Sequence, residues 1–257
     1  MAEGDTIARL ALQIESSIGG ERLEVRAPDR RGAAAGVERL DGRVLSRAQS
    51  RGKNLLLHFD ELVLHSHLGM SGGWHLYSRG ESWRRPERTA WAVLRGAETE
   101  AVQFRGPTLR VLRGEALHRD PALRRLGPDI LDEDLADEAA VDSLRRAEPG
   151  RELGDALLDQ TLIAGIGNIF KSEGCFAARV DPWRRIDRLS VEELGTVVAA
   201  SAALMRDSVH SGRRPAEVYR RAGRPCRVCD TPLRSAAQGD ANRTTYWCPE
   251  CQPPESE

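Results

Sequence analysis

Four cysteines carry the clearest chemistry in the chain. Cys226-Arg-Val-Cys229 and Cys248-Pro-Glu-Cys251 are two Cys-x-x-Cys knuckles separated by 18 residues. Each knuckle offers two sulfurs to one tetrahedral ion, and a gap of about 15–20 residues lets two strands bring the pairs together. The spacing therefore points to one zinc ion in a four-thiolate ribbon. Two disulfides, or reduced knuckles without metal, are the competing readings, but disulfide frameworks belong to small secreted chains. With thiolates at all four positions no coordination site stays open, so the zinc is expected to be structural and no cofactor is expected at a chemical step. So short a ribbon has almost no core of its own and needs the metal to fold. Arg227, Arg234 and Arg243 lie on or between the knuckles, where a guanidinium fork can reach phosphate.

Amines are the second candidate chemistry. Almost every cation is arginine, and the only lysines are Lys53 and Lys171. A lysine that survives such a bias is expected where guanidinium cannot serve, for instance where an amine must give up a proton. The chain starts Met1-Ala2-Glu3-Gly4-Asp5-Thr6. Loss of Met1 would expose the α-amine of Ala2 beside a carboxylate at a helix start, and the positive helix end would lower a reference pKa of about 7.7–8.0. A free amine is a nucleophile toward carbonyl-like carbon, although an ordinary frayed helix explains the same residues. Gly165-Ile-Gly-Asn168 between two helical stretches would present backbone N–H groups to a phosphate, or simply form a packing turn. Met70, in His67-Leu-Gly-Met-Ser-Gly-Gly73, is a flexible apolar residue on a glycine-rich loop, which read alone is an ordinary hairpin turn. Cys175 reads as a small core residue.

These groups need elements to hold them. Ile7, Leu10, Ile14 and Ile18 recur at helical spacing, with Asp5 as the expected N-cap and Gly19-Gly20 as the stop. From Arg22 to about Arg113 short strands take over, among them Leu55–Phe59, Leu62–Leu68, Trp74–Tyr77, Trp91–Leu94, Ala101–Phe104 and Leu109–Leu112, which suggest an antiparallel sandwich. Arg124-Arg-Leu-Gly-Pro-Asp129 breaks the pattern as a linker would. Helical patterning follows: Leu157–Ile163, then a helix from Asn168, then a capping box at Ser190-Val-Glu-Glu193 that opens a long helix closed by Gly212. The expected fold is an α+β multidomain chain, with an N-terminal antiparallel β-sandwich and flanking helix at 1–114 and a linker at 115–136. A helical domain at 137–222, a zinc finger at 223–252 and a loose tail at 253–257 complete it.

The net charge of −1 hides a segregation, with acids crowding Asp129 to Asp155 and arginines Arg179 to Arg188 and Arg206 to Arg227. A basic face on a neutral protein would suit nucleic acid. No apolar run spans a bilayer and no secretory pattern opens the chain, so a cytoplasmic, nucleoid-associated bacterial protein without a membrane partner is expected.

Taken in order, Glu3-Gly-Asp-Thr6, Gly52-Lys53, the Leu-Gly-Pro-Asp linker, the Asp-Gln to Gly-Ile-Gly-Asn segment and Arg243-Thr-Thr-Tyr-Trp-Cys-Pro-Glu-Cys251 resemble the formamidopyrimidine-DNA glycosylase and endonuclease VIII family over nearly the whole length. The resemblance implies a β-sandwich and a helix-two-turn-helix domain with a zinc-ribbon hairpin, and a monomer that acts on damaged DNA, duplex or single-stranded. It implies base-excision repair by a bifunctional glycosylase and abasic-site lyase, with β,δ-elimination through a Schiff base on the N-terminal amine. By motif, Ala2 is the nucleophile, Glu3 the proton donor, Lys53 a phosphate contact that assists the first elimination, and Arg243 the residue that assists the second. Asn168 and Arg125 hold phosphates, Met70 fills the space left by an extruded base, and His67 lies in the same DNA-binding loop. The family's usual proline is Ala2 here. A primary amine gives an imine that must be protonated before it withdraws electrons, so a damaged-DNA binding protein without catalysis is the alternative. The Glu-Gly-Asp-Thr start and the short Arg213–Pro225 connection favour the endonuclease VIII branch and oxidised pyrimidines, although His67–Gly72 resembles the purine branch.

Overall fold

The computed structural model of the chain describes residues 2–132 and 137–254. Met1, the end of the expected linker at 133–136 and the last three residues of the expected tail lie outside them. The chain forms two compact units, Met1–Arg124 and Arg125–Glu257.

In the first unit, helix α1 (Gly4–Ile18) precedes β1 (Glu24–Arg26), α2 (Arg30–Ala34), β2 (Leu45–Arg51), β3 (Asn54–Phe59), β4 (Leu62–His67), β5 (Gly73–Ser78), β6 (Ala92–Arg95), β7 (Thr99–Phe104) and β8 (Thr108–Arg113). Two short helices, α3 (Gly114–Leu117) and α4 (Pro121–Arg124), end it. The strands make two antiparallel four-stranded sheets, ordered β1-β6-β7-β5 and β2-β3-β4-β8. Ile7, Leu10, Ile14 and Ile18 of α1 join Leu55, Leu57, Leu64, Leu94 and Ala101 in one core, so the period-3.6 stripe and the period-2 faces bury one another. Asp5 does not cap α1. Glu3 is the N-cap residue, its carbonyl accepts from the Thr6 and Ile7 N–H groups, and Asp5 lies buried in the first turn.

The second unit holds α5 (Asp137–Leu144), α6 (Leu153–Ala156), α7 (Asn168–Ala177) and α8 (Val191–Ser211), then the hairpin β9 (Arg234–Gln238) and β10 (Arg243–Trp247). Leu157–Ile163 is not the helix that its apolar run suggests. Asp159 Oδ1 accepts from the Thr161 N–H and hydroxyl at 2.9 and 2.7 Å, an Asx turn that competes with helix continuation. Gln160 then bonds to Leu158, Gly165 and Ile166 and holds the connection to α7. Helix α8 starts at the expected capping box, with Ser190 Oγ accepting from Glu193 N–H at 3.1 Å and Glu193 Oε2 accepting from Ser190 N–H at 2.8 Å. It ends at Gly212, whose φ of 70° an L side chain would resist. Leu194, Val197, Val198, Met205 and Val209 of α8 are buried, and Leu204 is half-buried. Among the described residues no helix is long and apolar enough to cross a membrane.

Candidate functional site

In the first unit, the groups that could do chemistry sit at the helix start and at strand ends. Glu3 is fully buried, and the half-buried Ala2 packs on the core at the start of α1. Helix α1 lies against β2 and β3, whose connecting turn is Gly52-Lys53. Asn54, directly after Lys53, pairs across the sheet with His67. The side chains of Lys53 and His67 are close enough to interact: burial lowers the His67 pKa and the Lys53 charge lowers it further, which keeps the imidazole neutral at pH 7. Beneath this turn His65 is buried, donating from Nε2 to Asn54 Oδ1 at 2.9 Å and accepting at Nδ1 from Arg110 Nε at 3.1 Å. That pairing fixes a neutral tautomer, and burial followed by the Arg110 charge pulls the His65 pKa down to about 4. Arg110 also bridges to Asp120 at 2.5 Å, and Asp120 accepts from the Ala122 and Leu123 N–H groups at the start of α4.

Met70 stands 68% exposed on the β4–β5 loop. Gly72 N–H closes that loop on Leu68 O at 2.9 Å, and a Cβ on Gly72 would meet Leu68 O at 2.6 Å and Arg105 O at 2.9 Å. The loop is thus held tight while its apolar tip faces solvent. Arg125 is exposed at the other unit's first position.

In the second unit, α7 and the β9–β10 hairpin meet. Asn168 is 7% exposed, and its Nδ2 donates to Thr244 O at 2.8 Å. Arg243, the residue before Thr244, is exposed at the start of β10. The structure thus brings Asn168 beside the strand that carries Arg243, as it brings Lys53 beside His67. Glu173, which sequence reasoning passed over, is buried on α7 and accepts from the N–H groups of Glu217, Val218 and Tyr219 at 3.0, 3.0 and 2.8 Å. It ties down the segment between α8 and the first knuckle, while desolvation raises its pKa against those bonds. Its only sequence signal was that it is the one acid between Asn168 and Ala177.

The four knuckle cysteines converge, with all four sulfurs within 4.8 Å of one another. Cys226 to Cys251 is 3.9 Å, and Cys229 lies 3.4 Å from both Cys248 and Cys251. A disulfide needs about 2.05 Å, and all four cysteines are free, so the disulfide reading fails. Val228 N–H and Cys251 N–H point at Cys226 Sγ and Cys248 Sγ at 3.4 Å, as knuckle backbones do for thiolates. Hydrogen bonds from Thr231 pull the Cys229 thiol down to about 7, while burial and the neighbouring sulfurs push Cys248 and Cys251 up. Four thiols so close cannot all ionise without a cation among them, and their donor set and geometry make this a candidate metal site. Cys175 is elsewhere, wholly buried in the helical core and pushed up to about 12 by that burial.

The family model described as the formamidopyrimidine-DNA glycosylase N-terminal domain matches residues 1–111, and that described as the formamidopyrimidine-DNA glycosylase H2TH domain matches residues 126–219. The chain belongs to this family of DNA glycosylases. A Streptomyces coelicolor protein named "Probable endonuclease 8 2" is 39% identical over 98% of this chain and 94% of its own. A Mycolicibacterium smegmatis protein named "DNA-(apurinic or apyrimidinic site) lyase Nei2" is 36% identical over 98% of this chain and 99% of its own. The Lactococcus lactis enzyme solved in complex with DNA containing an abasic site superposes with a TM-score of 0.82 at 20% identity, covering 98% of this chain and all of that one. That last likeness speaks to the fold.

Proposed function

We propose that the protein is a bifunctional DNA glycosylase and abasic-site lyase of the endonuclease VIII branch, acting on oxidised pyrimidines or abasic sites. The observation that carries this reading is the placement of Ala2 directly beside the fully buried Glu3 at the N-terminus of α1, in a chain of this family. Removal of Met1 frees the Ala2 amine, and the helix end disfavours its protonated form. The amine attacks C1′ of a nucleotide turned out of the stack, the glycosidic bond breaks, and the base leaves with the electron pair and a proton. Glu3 supplies and shuttles protons at the opened deoxyribose. The amine here is primary, so the imine must carry a proton to act as an electron sink, and Glu3 is the adjacent acid that can provide it. Loss of a C2′ proton then breaks the C3′–O bond with Lys53 assisting, and a second elimination with Arg243 assisting breaks the C5′–O bond. Arg125 and the start of α7 bind phosphates. At Asn168 one Nδ2 hydrogen is committed to Thr244 O, which leaves the other for an anion. Met70 fills the vacated stack, with His67 at the end of β4 where that loop begins. Zinc is the ion that suits the knuckles: a tetrahedron of sulfurs about 2.3 Å from a centre has edges of about 3.8 Å, and the 3.4 to 3.9 Å separations straddle that value.

Borohydride reduction on DNA carrying one abasic site tests the reading. The expected result is a covalent adduct that peptide mass spectrometry locates on Ala2. Tight binding without an adduct would make the protein a damaged-DNA binder that lost its chemistry with the family's proline. Base release by protein whose α-amine is permanently capped would remove the proposed nucleophile.

A further inference from the structure

Lys171 is completely buried on α7. An ammonium in such a place is costly unless its donors are met, and it has no acceptor to offer. Its Nζ donates to Thr245 Oγ1 at 2.5 Å. Thr245, also fully buried, must therefore pass its own hydrogen onward, and it does so to Gln238 Oε1 at 2.6 Å. Gln238 then has only its amide hydrogens left, and these go to Glu152 Oε2 at 3.0 Å and Pro182 O at 2.9 Å. Each bond fixes the direction of the next, so the line from α7 through both hairpin strands to the residue before α6 has one arrangement.

Three consecutive residues of β10 meet α7 in this way. Thr244 O accepts from Asn168, Thr245 Oγ1 accepts from Lys171, and Tyr246 N–H donates to Ser172 Oγ at 3.4 Å. Arg243 is the next residue along the strand, so its backbone position is set by this row of contacts. A one-residue slip would turn Thr245 away from α7 and reverse the faces of the strand.

We propose that Lys171 is a positioning residue that locks the register of the β9–β10 hairpin against α7 and so holds Arg243 where the second elimination needs it. This rests on the roles given above to Arg243 and the α7 N-terminus. It separates the two lysines of the chain into one that meets the DNA and one that never does.

The test uses full-length protein with Lys171→Met, which keeps bulk without donors, and Thr245→Val, which removes the same link from the hairpin side. On abasic-site DNA in single turnover, both variants are expected to keep wild-type zinc content and borohydride trapping rate. The fraction of product that has undergone the second elimination should fall at least tenfold, and the double variant should be no worse than either single one. An unchanged product ratio in Thr245→Val overturns the proposal, and that variant decides the matter if Lys171→Met does not fold. A parallel loss of trapping and of both eliminations also overturns it, since that marks general destabilisation. A wild-type protein that forms no adduct and cuts nothing refutes the parent reading and this one together, whereas normal wild-type cleavage with unaffected variants refutes this one alone.

Discussion

Burial decides the charge of His65, and with it part of the protein's response to acid. The imidazole is held neutral between Asn54 Oδ1 and the Arg110 guanidinium, and its pKa falls from 6.5 to about 4. A base whose folded pKa lies below its unfolded value contributes stability above the unfolded pKa, and that contribution is lost as pH falls through the folded one. The window is therefore about pH 6.5 down to about 4, and the His65 share of the loss at about pH 5 is on the order of 2 kcal/mol. Urea titrations at neutral pH and at about pH 5 should show this, and His65→Gln should flatten the dependence. A variant as acid-sensitive as the wild type would refute the assignment. Few such details were legible beforehand. The cysteines were readable because metal chemistry imposes spacing along the chain, and Asn168 because it starts a helix. Glu173 was not, because its partners lie more than 40 residues away and only the fold brings them together.

At the scale of elements, strands were legible where turns punctuate them and faces alternate. Strand β2 was missed because Leu45-Ser-Arg-Ala-Gln-Ser-Arg51 offers only two apolar residues; α1 completes it, with the Glu15 carboxylate taking the Ala48 N–H. Strand β1 is three residues long and carries no periodicity. The ribbon is the element most dependent on something other than its own packing. Its core is Phe176, Val218, Leu233, Cys226 and Cys248, so two of the five members are thiols of the candidate metal cluster. Stripping the metal with a chelator should raise hydrogen exchange across 226–251 to near-unfolded rates, while Leu55–Leu57 and Leu62–Leu64 of the sandwich stay protected. Protection of the ribbon that survives complete metal loss would show that its packing suffices.

Considered whole, a chain with a net charge of −1 cannot rely on long-range attraction to DNA, and its basic stretches are partly neutralised from within. Arg184 pairs with Glu193, Arg185 with Asp187, and Arg227 with Glu217, so the arginine runs in the sequence overstate the positive face. Phosphate binding must then come from a few placed groups, and salt dependence counts them. Replacing Arg125 with alanine should weaken binding alike for damaged and undamaged DNA and make the slope of log Kobs against log salt shallower by about 1. An unaltered slope would remove Arg125 from the set of phosphate contacts. The sulfur chemistry of the molecule is just as localised. Cys175 is sealed in the helical core with its thiol protonated, whereas Cys229 is only half-buried and its thiol is pulled down to about 7, so it is the knuckle sulfur an oxidant meets first. Oxidative stress thus bears on the ribbon itself, and a metal held among the four sulfurs would set how long the ribbon survives it.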